Sequence, residues 1–150
     1  MNEQQIEVLL VEDNPDDVEL TLHAFKAHKI ANRIHVVRDG VEAIEFLFGV
    51  EHTPLRGTAG TPRLILLDLK LPRLEGLEVL RQIKADPRTR TIPVVVMTSS
   101  REERDLVESY HLGVNSYIVK PVDFEQFIEA VQKIGFYWLL LNHPPILPQP

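Results

Sequence analysis

The stretch Arg63-Leu64-Ile65-Leu66-Leu67-Asp68-Leu69-Lys70-Leu71-Pro72 decides the fold. Apolar residues from Leu64 to Leu67 run into a single carboxylate, and a proline closes the stretch four residues later. A run this apolar, without polar alternation, reads as a strand buried on both faces of a parallel sheet. In open α/β sheets ligands bind just beyond the carboxyl ends of the strands, where Asp68 is expected to stand. Taken alone, an Asp here equally starts a turn or caps the next helix. The rest of the chain shifts that balance.

Working outward, the pattern repeats. Ile6 to Val11 reads as strand one and ends in Glu12-Asp13. Asn14-Pro15 is a helix start, with Asn14 as cap, and Asp16 and Asp17 suit the positive end of the helix dipole. Val18, Thr21, Leu22 and Phe25 form its inward stripe. Arg33 to Val37 is a weaker second strand, and Asp39-Gly40 leads into a helix over 41–48 with Val41, Ile44, Phe46 and Leu47 mostly inward. Residues 49–62 hold three Gly and two Pro and read as a surface loop longer than usual. Beyond Asp68, a helix is expected over 75–85, with Leu77, Leu80 and Ile83 on one face. Strand four is expected over Ile92 to Met97, followed by Thr98-Ser99-Ser100. A charged surface helix follows over 101–112, closed by Gly113, then strand five over 116–119, ending in Lys120-Pro121. Asp123 caps a last helix carrying Phe124, Phe127, Ile128, Val131, Ile134 and Trp138 on one side. Strands and helices alternating five times predict a parallel sheet covered on both faces, a flavodoxin-like doubly wound domain with strand order 2-1-3-4-5.

Composition narrows the function. The 150 residues suffice for one domain with a real core, and 44% apolar and 25% charged residues are ordinary for a globular protein. A net charge of −6 without a Lys/Arg block argues against a nucleic-acid partner. With no cysteine, disulfides, thiolate metal sites and cysteine catalysis are excluded. The polar N-terminus is no signal peptide, no apolar run approaches a membrane span, and a cytoplasmic location is the simplest expectation. The six histidines show no ligand spacing and read as surface or packing residues.

The chemistry lies in the strand ends. Glu12 and Asp13 follow strand one, Asp68 strand three, Thr98 strand four and Lys120 strand five, all on one rim of a parallel sheet. Separately these are a helix-start acid pair, a strand-end hydroxyl and a surface lysine; together they are hard to explain that way. Converging carboxylates repel unless a cation compensates. An oxygen-only cluster without His or Cys suits a hard cation, and Mg²⁺ where waters remain. Lys120 and the Thr98 hydroxyl would then hold the oxygens of a phosphoryl group on Asp68.

At this point the chain resembles a response-regulator receiver domain of two-component signalling, over about residues 5–136. The matching pieces are Leu10-Val11-Glu12-Asp13-Asn14, Leu67-Asp68 through Gly76, Val96-Met97-Thr98-Ser99-Ser100, and Tyr117-Ile118-Val119-Lys120-Pro121. The resemblance makes Asp68 the phosphoacceptor for a sensor histidine kinase. It makes Glu12, Asp13, Asp68 and the Lys70 backbone carbonyl the ligands of Mg²⁺, with Mn²⁺ as a substitute. It gives Thr98 and Lys120 contacts to the phosphoryl group, makes Tyr117 the aromatic switch, and implies a cis bond before Pro121. Such a domain is a phosphoacceptor that assists its own modification rather than an enzyme. More narrowly, Asn14-Pro15-Asp16-Asp17-Val18-Glu19-Leu20, the 49–62 loop, Leu69-Lys70-Leu71-Pro72 and Lys84 to Pro93 resemble stand-alone regulators that pair with bacterial phytochrome kinases.

The C-terminus departs from a simple monomer. At 100° per residue Phe136 and Leu140 fall opposite the stripe that ends at Trp138, and a helix apolar all round needs cover on both sides. The chain thus divides into a receiver at 1–136 and an extension at 137–150, with Phe136, Trp138 and Leu140 expected in a homodimer or against a kinase, unless the tail folds back on its own domain. Rival readings fit less well. A haloacid-dehalogenase-like hydrolase resembles Asp-x-Asp on the first strand, and a flavin module needs a phosphate-cradling loop where Glu12-Asp13-Asn14-Pro15 stands. The alternative kept is a pseudo-receiver that binds partners without phosphorylation.

Overall fold

A computed structural model describes residues 8–27, 33–49, 62–108, 110–114, 116–120, 123 and 125–129. Five parallel strands are ordered β2-β1-β3-β4-β5, as the sequence pattern predicts. They are β1 (Val8–Val11), β2 (Ile34–Val37), β3 (Leu64–Asp68), β4 (Val94–Thr98) and β5 (Ser116–Val119). Between them lie α1 (Pro15–Ala27), α2 (Gly40–Phe48), α3 (Gly76–Ala85) and α4 (Arg101–Glu108), and residues 125–129 are helical.

Every residue of β1, β3 and β4 is buried, because helices cover both faces and neither side of these strands meets water. Alternation along the strands divides the core in two. Leu9, Val11, Ile65, Leu67, Val94 and Val96 meet Ala43, Phe46, Val79, Leu80, Ile83 and Val107 from α2, α3 and α4. Val8, Leu10, Leu64, Leu66, Val95 and Met97 meet Val18 and Phe25 of α1 together with Ile118 and Phe127. The rings of Phe25 and Phe127 lie 4.3 Å apart and close this second layer. Each of the larger buried side chains contributes about 1.5–3 kcal/mol through removal from water.

Local chemistry sets the helix starts. Asn14 Oδ1 accepts from the amides of Asp16 and Asp17 at 2.8 and 3.2 Å, the expected cap of α1. Asp39 caps α2 by accepting from the Glu42 amide at 2.8 Å. The Asp39 carboxyl is lowered: burial opposes this, but the Glu42 amide and the Arg73 guanidinium outweigh it. Ser100 Oγ accepts from the Glu103 amide while Glu103 reaches back to the Ser99 amide at 2.9 Å, a reciprocal N-terminal arrangement.

Three expectations need correction. The helix expected over 101–112 ends at Glu108; Tyr110 and His111 form a turn, and Gly113 takes a φ of +80° where a left-handed residue ends the segment. Within α2, Phe46 is buried and Ile44 and Leu47 pack half-buried against the same core, as expected, but Ala43 and Gly40 are the other buried residues of the helix and Val41 is only half-buried. A small residue lies inward because α2 packs close to the sheet and to the loop before α3. β4 starts at Val94, one residue after Pro93, since proline supplies no ladder donor. His35 stacks on Phe46 at 4.5 Å, in keeping with a packing role. Residues 50–61, Pro121, Phe136, Trp138, Leu140 and the 137–150 extension lie outside the described residues. Among the described residues no helix is long and apolar enough to cross a membrane.

Candidate functional site

Strand register brings the chemical groups to one rim. In the ladder Val11 pairs Leu67, Asp68 pairs Met97 and Thr98 pairs Val119. The backbone pairing continues one step beyond, with the Glu12 amide donating to Val37 and the Lys120 amide to Thr98 at 2.8 Å. Glu12, Asp68 and Lys120 extend the alternating positions of Leu10, Leu66 and Ile118, which face α1. Thr98 and Tyr117 belong to the other face, and Tyr117 packs against the α2–α4 layer. Parity therefore decides which groups meet.

Lys120 is the hub. Its ammonium donates to both Glu12 oxygens at 3.1 and 3.2 Å, to Asp68 Oδ2 at 3.0 Å and to Asp17 Oδ2 at 3.0 Å. Glu12 and Asp68 are 1% and 3% exposed, and among the described residues Lys120 is the cation paired with both of them. Burial, reinforced by the neighbouring Asp68, pushes the Glu12 carboxyl up to about 7 against the pull of Lys120. Burial works against the Lys120 charge, but its bonds to Asp17 and Asp68 win and hold its proton more tightly than usual.

Glu12, Asp13 and Asp68 present carboxylate oxygens within 4.8 Å of one another. The donor set is all oxygen and strongly anionic, with Asp13 exposed and its two companions buried. That chemistry fits a hard divalent cation with open water positions. The Lys70 amide donates to Asp68 Oδ1 at 3.3 Å, while its ammonium turns away to Glu103 at 3.2 Å. Thr98 is fully buried, and among the described residues its hydroxyl has no hydrogen-bond partner. An orphaned hydroxyl at a strand end is costly and suits a group that binds an oxygen-rich ligand. Tyr117 is half-buried beneath the guanidinium of Arg104, 5.0 Å from its ring centre.

The loop leaving Asp68 is tightly folded. Gly76 donates to Leu69 at 3.0 Å, and a Cβ at Gly76 would stand 2.6 Å from Leu69 Cα and closer still to the Asp68 carbonyl oxygen. Arg73, with φ of +67°, pairs with Asp39 at 2.9 Å and ties this loop to the start of α2.

The structure thus brings Glu12, Asp13, Asp68 and Lys120 together, and places Thr98 and Tyr117 on the opposite face of the same rim. Sequence reasoning missed Asp17 and Glu103. Asp17 reads naturally as a dipole acid, but it also continues the inward row Thr21 and Phe25 at intervals of four, which aims it at the site. Glu103 stands three residues after Ser100, a capping pattern that could have marked it.

Comparison with known proteins agrees with this geometry. The family of the response regulator receiver domain matches residues 8–132. The probable methanogenesis regulatory protein FilR2 of Methanothrix harundinacea is 44% identical over 138 residues, covering 92% of this chain and 86% of the relative. The response regulator Rcp1 of Synechocystis is 40% identical over 135 residues, 88% of each chain. Among solved structures, the bacteriophytochrome response regulator AtBRR is 51% identical with a TM-score of 0.83, covering 93% of this chain and 99% of that one. The Mn²⁺-bound form of Rcp1 is 38% identical with a TM-score of 0.69, covering 94% and 99%. The phosphorylated cyanobacterial phytochrome response regulator RcpA is 40% identical with a TM-score of 0.69, covering 90% and 94%. With its sheet order, its acidic rim and these likenesses in agreement, the chain belongs to the response regulator receiver domain family, close to the phytochrome response regulators.

Proposed function

We propose that this protein accepts a phosphoryl group on Asp68 from a sensor histidine kinase, and that the kinase is a phytochrome. The observation that carries the reading is the placement of Asp68 between a fixed ammonium and two further carboxylates, with Lys120 Nζ at 3.0 Å and Glu12 and Asp13 within 4.8 Å. The Asp68 carboxylate attacks the phosphorus of a phosphohistidine; the P–N bond breaks, the imidazole leaves with its electron pair, and an acyl phosphate remains. Glu12, Asp13, Asp68 and the Lys70 carbonyl would hold Mg²⁺, or Mn²⁺ in its place. Bound there, the cation neutralises charge on the transferring group. Lys120 and Thr98 take the phosphoryl oxygens, and the Thr98 hydroxyl gains the partner it lacks.

The response follows from two states of one surface. Movement of Thr98 toward the phosphoryl group vacates space for Tyr117, which leaves Arg104 and turns inward. α4, β5 and the last helix pass the change to a partner, and Phe136, at the end of the receiver, makes a homodimer together with Trp138 and Leu140 of the 137–150 extension. The reading is of a cytoplasmic signalling acceptor that assists its own phosphorylation and dephosphorylation, not of an enzyme acting on a separate substrate.

Intact mass after incubation with acetyl phosphate and Mg²⁺ tests the central step. The wild type is expected to gain one phosphoryl group, about 80 Da with the added negative charge of such a group, and Asp68→Asn none. A gain without Mg²⁺, or one that persists in Asp68→Asn, would sink the assignment. If neither protein gains mass from acetyl phosphate or from a phosphorylated phytochrome kinase, the chain works as a binding module.

A further inference from the structure

We propose that Asp17 is a positioning residue for Lys120: it draws the ammonium toward α1, leaving Glu12 and Asp68 free to take a divalent cation. The inference rests on the receiver reading and concerns a residue outside its usual set.

An ammonium has three hydrogens to donate. Lys120 meets four carboxylate oxygens from Glu12, Asp17 and Asp68, all at 3.0–3.2 Å. Two of these residues belong to the trio whose oxygens converge for a cation, Glu12, Asp13 and Asp68. Their oxygens therefore answer to both the ammonium and the cation. Among the described residues, Asp17 is the contact of Lys120 that stands outside the trio. It reaches the site from another element, 103 residues away in sequence, and keeps its hold on the ammonium when a cation claims the others.

The carboxylate is not otherwise engaged in building α1. The Asp17 amide donates to Asn14 and its carbonyl accepts from the Thr21 hydroxyl at 2.9 Å, and both bonds belong to the main chain of Asp17. Its side chain is 26% exposed. A substitution there removes an anchor for Lys120 without removing a helix cap. Without Asp17 the ammonium settles fully on Glu12 and Asp68 and competes with the cation for their oxygens.

Calorimetric titration of the full chain with Mg²⁺ tests this. Asp17→Asn is expected to weaken Mg²⁺ binding by about tenfold, the scale of losing a group that orients metal ligands. Asp16→Asn removes the same charge from the same helix turn but touches neither Lys120 nor the trio, and is expected to stay within about twofold of the wild type. In a Lys120→Met background the Asp17 effect is expected to shrink to that of Asp16→Asn, and Asp17→Glu, with its carboxylate kept, restores most of the affinity and guards against a folding artefact. Equal losses in Asp16→Asn and Asp17→Asn would reduce the role to general charge. A full loss that persists beside Lys120→Met would mean that Asp17 acts on the cation directly. Either result overturns the inference. A wild type that binds Mg²⁺ and an Asp17→Asn variant that binds it equally well would sink the inference alone. A wild type that binds no Mg²⁺ would sink the cation site and this inference with it.

Discussion

Glu12 shows how one buried carboxylate sets the behaviour of the rim. Its carboxyl is raised from 4.5 to about 7 by burial and then by Asp68, so between those values the folded protein binds a proton that the unfolded chain does not. The sign follows: this contribution to stability is fully present below about pH 4.5 and is lost as pH rises through about 7. Glutamine does not titrate. In the absence of divalent cation the melting temperature of Glu12→Gln is therefore expected to gain on that of the wild type as pH goes from about 5 to 8, and a difference that is flat across this range would refute the assignment. Thr98 offers a second case. Its buried hydroxyl has no partner among the described residues, so Thr98→Val removes an unmet desolvation cost and is expected to raise stability by up to about 1 kcal/mol in urea titrations. A loss of stability instead would mean that the hydroxyl is satisfied in the resting protein. The placement of Asp68, Glu12, Thr98 and Lys120 on one rim was legible in the sequence because each directly follows or ends an apolar run, and Asp13 comes one residue later. Asp17 was not, because an acid in a first helical turn already has a sufficient local reason.

At the scale of the element, the loop between β3 and α3 is closely packed. Gly40 and Gly76 let it approach: a Cβ on Gly40 would stand 2.6 Å from Leu74 Cβ, and one on Gly76 2.6 Å from Leu69 Cα. Gly76→Ala therefore forces backbone to move beside Asp68, and is expected to cost at least about 1–3 kcal/mol in chemical denaturation. An alanine tolerated there without loss would show the loop to be slack. Gly76 was visible in the sequence as part of the motif, yet its crowding was not, since the atoms it meets belong to a different part of the turn. Element boundaries were likewise only partly legible. Polar residues continue from Glu108 through His111, so the pattern offered no reason to stop α4 at Glu108, one residue past the buried Val107.

For the molecule as a whole, an anionic chain of net charge −6 gathers carboxylates from β1 and β3 on one rim and faces them with one lysine from beyond β5. A divalent cation that binds only the folded rim stabilises it by mass action. At a hundredfold excess over its Kd, Mg²⁺ is expected to add about 2.7 kcal/mol, visible as a rise in melting temperature that KCl at matched ionic strength does not produce. Asp13→Asn, which removes the exposed member of the trio, is expected to abolish most of that rise. Stabilisation by KCl alone would point to general screening instead.

Sequence by itself determined the parallel doubly wound sheet, because uninterrupted apolar runs separated by helical stripes have few other ways to bury themselves, and it determined which strand ends carry carboxylate, hydroxyl and ammonium groups. Only the tertiary structure decided which of those groups meet. Strand parity sends Glu12, Asp68 and Lys120 toward α1 and sends Thr98 and Tyr117 to the other face. The α1 layer then delivers Asp17 to an ammonium that comes from the far end of the chain. Side-chain direction across paired strands depends on register and on which helix covers each face, and these are settled by long-range packing rather than by any single stretch of residues.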